Sequence, residues 1–248
     1  MSIEHTHTVK SYDDELKALD SMIAEMGGLA EAQLAAAIEV LVKRDSEGAE
    51  RVVAGDERID QLEHEIDERA IRLVALRQPM AEDLRAVVAA LKTSSVLERI
   101  GDYAKNIAKR TVALSQAPPV GPARSIARMG LLAQRMIKNV LDAYVARDAQ
   151  KAEDVRQSDK DVDAMHTSLF RELLTYMMED ARSIGSCTHL LFVAKNIERI
   201  GDHATGIAEN VIYLVSGDTV QRKRPKQDSS SFTVLEPVGA ASGESAKK

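Results

Sequence analysis

Four pairs of acidic residues, each pair spaced four apart, are the part of this chain whose chemistry is most directly readable. They are Asp56/Asp60, Glu98/Asp102, Asp159/Asp163 and Glu198/Asp202. On a helix, residues four apart lie on one face, one turn above the other. Like charges at that spacing cost a helix about 0.2–0.5 kcal/mol per pair. A chain carrying the arrangement four times holds a repeated small destabilisation that a bound cation would relieve. All-oxygen donors suit hard ions such as magnesium and manganese, and also iron, rather than copper. Any one pair equally suits a solvated acidic face; repetition of both kinds of pair is what favours a shared role.

Other chemistries find less support. There is no glycine-rich phosphate loop and no Ser–His–Asp arrangement, so neither a catalytic residue nor an organic-cofactor site is assigned. The single cysteine, Cys187, excludes an internal disulfide framework and a thiolate zinc finger. Beside Leu190, Leu191 and Phe192, in an uncharged stretch, it reads as a buried inert thiol. A di-iron oxidase bundle wants Glu-x-x-His on two core helices. This chain has Asp163-x-x-His166 once and Glu4-x-x-His7 near its start, and His203 is matched by Tyr103 in the other half. Met177-Met178 reads as core filler.

The acids belong to an internal repeat. Glu98-Arg-Ile-Gly-Asp102 recurs letter for letter as Glu198-Arg-Ile-Gly-Asp202, at an offset of 100. Upstream, Asp56-x-x-Ile-Asp60 pairs with Asp159-x-x-Val-Asp163, and Arg44-Asp45 with Arg147-Asp148, both at an offset of 103. Three segments repeated in the same order make two copies of a three-helix unit. Seams of apolar residues on a seven-residue register support this: Val52, Ile59, Leu62, Ile66, Leu73 and Leu76; Leu97, Ile100, Ala104, Ile107 and Leu114; Ile197, Ile200, Ala204, Ile207, Val211 and Leu214. The acids fall outside these seams, which places them toward solvent, where four carboxylates per repeat would converge on one patch if the helices are neighbours. Gly101 and Gly201, each costing a helix about 1 kcal/mol relative to alanine, mark a close approach of another helix. Arg99 and Arg199 read as ordinary surface arginines.

Proline draws the map, because it interrupts helix interiors. The chain lacks proline before Pro79, clusters it at Pro118, Pro119 and Pro122, and lacks it again until Pro225. Helices are predicted near 12–44, 47–77, 81–115, 123–147, 150–178 and 185–216, with Ser11 and Asp14 as a capping box for the first. The expected organisation is a disordered N-terminus over 1–11, a three-helix bundle over 12–117, a Pro-rich linker over 118–122, a second bundle over 123–216 and a disordered tail over 217–248. The fold class is all-α. Composition agrees: aromatics are 3% of the 248 residues, and the hydrophobic 44% is mostly Ala, Leu, Val and Ile. A net charge of −6 disfavours a phosphate-backbone binder. No apolar stretch reaches the roughly 20 residues of a spanning helix, and no signal peptide is legible, so a cytoplasmic protein is expected.

At Leu97-Glu-Arg-Ile-Gly-Asp-Tyr-Ala104 and Ile197-Glu-Arg-Ile-Gly-Asp-His-Ala204 the chain strongly resembles the PhoU family, the phosphate-specific transport system accessory proteins. Ala75-Leu-Arg-Gln-Pro-Met-Ala-Glu-Asp-Leu-Arg85, Leu191–Ala204 and Met26-Gly-Gly28 carry the likeness further, over about residues 12–216. The resemblance implies tandem three-helix bundles, a homodimer, and negative regulation of the phosphate-starvation response. It also implies an adaptor between the ATPase subunit of a phosphate ABC transporter and a membrane-bound sensor histidine kinase. The family's acid pairs, which hold metal clusters in some members, map onto Asp56/Asp60 with Glu98/Asp102 and onto Asp159/Asp163 with Glu198/Asp202. The ion, whether iron, manganese, magnesium or zinc, stays open. Two positions depart from the family pattern: Val96, where an acid is common, and Gly206, where asparagine is usual. The tail after Gly217 has no family counterpart, and its run of Arg222, Lys223, Arg224 and Lys226 reads as solubilising.

The expectation is therefore a non-enzymatic regulator with metal sites. Its alternatives are a metal-storage or redox helical-bundle protein and a purely structural coiled-coil scaffold.

Overall fold

The computed structural model describes residues 3–218 together with 220, 228 and 230, and side chains from residue 12 onward. Among the described residues there is no strand. The elements are α1 (Ile3–Lys43), α2 (Ser46–Gly55), α3 (Glu57–Arg77), α4 (Ala81–Ser115), α5 (Ala123–Ala146), α6 (Ala149–Glu179) and α7 (Ile184–Ser216), with a short 3₁₀ turn at Ala181–Ser183.

Two expectations are revised. The first helix begins at Ile3, so Ser11 lies inside it rather than capping it, and residues 3–11 belong to that helix. The helix expected over 47–77 is two helices meeting at Asp56. Gly55, a weak helix former, ends the first. The Asp56 carbonyl then accepts from both Ile59 N at 2.9 Å and Asp60 N at 3.2 Å, tightening the turn. The matching position in the second half is Ser158, and α6 runs through it unbroken. Most of the tail expected to be disordered, with its basic run, lies outside the described residues; Asp228, which is described, is seen against the second half.

The repeated Arg-Asp pair proves to be turn chemistry. Arg44 and Arg147 both take the left-handed conformation, with φ of 58° and 54°. The aspartate after each caps the next helix: Asp45 accepts from Gly48 N at 2.8 Å and Asp148 from Lys151 N at 3.0 Å. Arg44 also reaches across to the carbonyls of Leu114, Ser115 and Ala117, satisfying the C-terminal end of α4.

In each half the third helix packs against the other two: α4 against α1 and α2–α3, α7 against α5 and α6. The halves join through α4 against α7 and α1 against α5, and their buried apolar side chains form one continuous core. The join has an approximate two-fold relation. Tyr103 and His203, equivalent in the repeat, stack on each other with ring centroids 5.4 Å apart. Gly27 lies against Leu141, and the repeat-equivalent pair, Gly130 and Ile38, makes the reciprocal contact. A Cβ at Gly130 would stand 2.8 Å from Ile38 Cγ1, so glycine is what lets α5 approach α1 there. Buried Tyr144 adds a cross-half bond, donating to Asp20 of α1 at 2.8 Å, where Arg147 also pairs with Asp20 at 2.6 Å. No helix among the described residues is long and apolar enough to cross a membrane.

Candidate functional site

The structure brings each pair of acid pairs to one neighbourhood, α3 beside α4 in the first half and α6 beside α7 in the second. It corrects their exposure. Asp56, Asp159, Asp163 and Glu198 are 2% exposed or less, and Asp60, Glu98, Asp102 and Asp202 are half-buried. The seams on α4 and α7 were read as one-sided, whereas these helices have neighbours on several sides.

Gly101 and Gly201 explain how the buried aspartates fit. A Cβ at Gly101 would lie 3.1 Å from Asp56 Oδ1 and 3.1 Å from Ile59 Cδ1; at Gly201 it would lie 3.1 Å from Asp159 Oδ1. Each repeated glycine thus leaves room for the carboxylate of the neighbouring helix, as its cost within a helix suggested.

In the first half, Asp56 is compensated from both sides. Gln33 of α1 donates to Oδ1 at 2.9 Å, and Lys105 of α4 pairs with Oδ2 at 2.5 Å. Lys105 also reaches Asp102 at 3.4 Å and is held above its ordinary pKa, first by its bond to Asp56. The remaining acids crowd together. Burial first, then Asp102, Glu63 and Asp60, push Glu98 up to about 7. Asp60 is raised by burial, then by Asp56, and Glu63 by burial, then by Asp67. Carboxylates that resist ionising together mark a place where negative charge is poorly balanced.

In the second half, Thr205 stands at the position of Lys105, and the ammonium comes from Lys195, which replaces Ser95. Lys195 Nζ lies 2.8 Å from Glu198 Oε2, though not directed along a hydrogen bond, and 3.5 Å from Asp228. His166, buried, replaces Glu63 and also faces Asp228. Burial would raise the Asp228 carboxyl, but hydrogen bonds from Ser230 and the charges of His166 and Lys195 hold it well below the usual range.

Sequence reasoning missed Gln33, Glu63, Lys105, Lys195 and Asp228 as neighbours of the acids. A signal existed for three of them, since Glu63, Lys105 and Lys195 lie three residues from Asp60, Asp102 and Glu198, on the same helix faces. Arg99 and Arg199 are exposed as expected, with Arg199 5.7 Å from the Tyr103 ring; partial burial first, then the charges of Arg99 and Arg199, hold the half-buried His203 below its ordinary pKa. Cys187 is buried, as expected.

Among the described residues, no three histidine, cysteine, aspartate or glutamate side chains are arranged to hold a metal ion as they stand. The donor chemistry of the first cluster still fits a hard cation. Its ligands would be oxygens, and the raised pKa of Glu98 is the charge imbalance a cation would remove.

The PhoU domain profile matches residues 23–111 and again residues 126–211. The chain belongs to the PhoU family. The PhoU homolog of Caulobacter vibrioides, named a phosphate-specific transport system accessory protein, is 55% identical over 223 residues, covering 90% of this chain and 97% of that protein. A Xylella fastidiosa protein of the same description is 52% identical over 232 residues, covering 94% and 96%. The crystal structure of PhoU from Pseudomonas aeruginosa superimposes with a TM-score of 0.80 at 41% identity, covering 84% of this chain and all of that one. The Streptococcus pneumoniae phosphate transport system regulatory protein PhoU gives the same TM-score at 30% identity.

The two PhoU segments are the two halves of the repeat, and each contains one complete carboxylate set. The departures from the PhoU pattern, Val96 and Gly206, line one groove between α4 and α7 with Arg99, His203 and Glu209. They lie at the junction of the halves, where α4 meets α7.

Proposed function

We propose that this PhoU-family chain is a cytoplasmic negative regulator of phosphate uptake and of the phosphate-starvation response. It works without catalysis, as a homodimeric adaptor between the ATPase subunit of a phosphate ABC transporter and a sensor histidine kinase. The observation that carries this reading is the match, over nine-tenths of the chain and nearly the whole of the relatives, to phosphate-specific transport system accessory proteins. An adaptor acts by binding one state of its partner better than another. A tenfold preference shifts that equilibrium by about 1.4 kcal/mol, enough to silence or release a kinase.

The carboxylates belong to this reading as cation sites. Asp56, Asp60, Glu98 and Asp102 would hold a cation in the first half, and Asp159, Asp163, Glu198 and Asp202 in the second. The ion is iron, manganese, magnesium or zinc. When bound it supplies the positive charge that lets the crowded carboxylates ionise together. Asp56, fixed by Gln33 and Lys105, positions α3 against α4 so that Asp60, Glu98 and Asp102 share one face.

The test is alkaline phosphatase activity in phosphate-replete cells depleted of this protein. High activity that a wild-type copy silences, and that a Glu98→Ala/Asp102→Ala copy silences poorly, is the expected result. Activity that stays low in the depleted strain would reject the regulatory role. Full silencing by the double variant would reject the part given to the first cluster.

A further inference from the structure

The approximate two-fold join sets two equivalent pairs of side-chain stripes beside the Tyr103–His203 stack. In one pair, Lys92, Val96 and Arg99 of α4 line a groove of about 610 Å³ together with His203, Gly206 and Asn210 of α7. Residues at these spacings share one side of their helix. The repeat-equivalent pair is Phe192, Asn196 and Arg199 of α7 with Tyr103, Asn106 and Arg110 of α4.

The two pairs are filled differently. In the second, the Arg110 guanidinium lies 4.1 Å from the centre of the Phe192 ring, and Arg199 lies 5.7 Å from that of Tyr103. Its cations are engaged by its own aromatic rings. In the first, Lys92 replaces Phe192, Asn210 replaces Arg110 and Gly206 replaces Asn106. A Cβ at Gly206 would meet nothing within 4 Å, so the groove is open where a side chain could stand. Arg99 makes no ion pair or hydrogen bond among the described residues, and Lys92 lies 5.6 Å from the Tyr213 ring.

These groups share one character. Arg99 offers a planar fork of N–H donors, Lys92 an ammonium and Asn210 an amide. His203, held below its ordinary pKa by burial and then by Arg99 and Arg199, is neutral at pH 7 and adds one N–H. The acid among the lining residues is Glu209, which Arg156 of α6 holds at 3.3 Å. Cations, neutral donors and a fixed acceptor together match hydrogen phosphate, a dianion that accepts hydrogen bonds and also carries a proton to donate. Sulfate has the same shape and charge but no proton to give to Glu209.

We infer that the groove between Arg99 and Gly206 is a phosphate-binding site, which takes its phosphate group from free inorganic phosphate or from a small organic phosphate. Leu91 and Val96 supply the apolar wall that an organic portion would cover. The site needs no metal. Binding there is independent of the adaptor reading, and only its use as a signal of phosphate supply rests on that reading.

The test is isothermal titration of the chelator-treated full-length protein with inorganic phosphate, sulfate and AMP at pH 8. Phosphate should bind saturably and about tenfold more tightly than sulfate, the worth of one charge-assisted hydrogen bond. Arg99→Gln and the groove-filling Gly206→Asn should each weaken it about tenfold, while Arg199→Gln, the repeat-equivalent change, leaves it unaltered. Far-UV circular dichroism checks that all three variants keep their helix content. AMP binding more tightly than inorganic phosphate, and losing that gain in Gly206→Asn, supports the site with an organic phosphate as its source. Equal or weaker AMP binding supports it with the free ion. Absence of saturable binding, binding that sulfate equals, or binding that Arg99→Gln and Gly206→Asn leave unchanged overturns the site. None of these outcomes alters the alkaline phosphatase result, so the two readings fail separately.

Discussion

The two carboxylate clusters descend from one sequence pattern, yet they settle their charge differently. The first puts its ammonium on the deep aspartate, Asp56, and leaves the outer acids crowded and half-exposed, with Glu98 pushed up to about 7. The second buries three of its four acids and puts its ammonium on the outer pair, beside Glu198 and Asp228. A repeated motif therefore keeps the carboxylates and the glycine that admits them, while the neutralising residues vary between copies. Equivalent positions can belong to sites of different accessibility.

The largest test of that contrast is removal of each ammonium. Lys105→Met leaves Asp56, 2% exposed, without its cation, and is expected to lower stability by about 3 kcal/mol in urea denaturation. Lys195 is 40% exposed, so Lys195→Met is expected to cost about 1 kcal/mol. Equal losses would end the distinction. Next come the glycines. A methyl group at position 101 meets both Asp56 Oδ1 and Ile59 Cδ1 at 3.1 Å, whereas at 201 the second neighbour, Val162 Cγ1, stands at 3.4 Å. Crowding of this kind costs about 1–3 kcal/mol, against about 1 kcal/mol regained in helix propensity. Gly101→Ala should be the more destabilising of the two, and a thermal melt showing the reverse order would argue against the closer fit in the first half.

The smallest effect is a pH dependence at Glu98. With its native pKa raised to about 7, Glu98 takes up a proton on folding between its ordinary value and 7. Stability from this group is complete below the unfolded pKa and is lost as pH rises through 7. In chelator-treated protein, Glu98→Gln should therefore melt about 2–4 °C above the parent at pH 8, for an effect of about 1 kcal/mol, and level with it at pH 4. A Glu98 variant that tracks the parent at both pH values would remove the charge imbalance from the account.

Much of this arrangement was legible before any coordinates. Identical Glu-Arg-Ile-Gly-Asp segments located the third helices, and the cost of Gly101 and Gly201 announced the close approach that Asp56 and Asp159 make. Burial of the acids was not legible, because a seam drawn on one helix counts one neighbour, while α4 meets α1, α2, α3 and α7. Lys105 and Lys195 escaped notice because a search for repeats passes over what differs between copies. The interruption at Gly55 escaped for the same reason: its counterpart is Ser158, and the apolar period runs on through both. Arg44-Asp45 was visible as a repeat without its meaning, since a left-handed arginine followed by a capping aspartate shows only in backbone angles.

That interruption has a mechanical side. The second half carries Asp159 and Asp163 on a single 31-residue rod, so a push at one end of α6 is felt at Asp159 and beyond. In the first half the same span is two pieces joined at Asp56, and Asp56 is also where Gln33 and Lys105 take hold. A partner that tilts the ten-residue α2 turns it about an anchored joint and leaves α3, with Asp60, in place. The first half can thus yield locally where the second transmits.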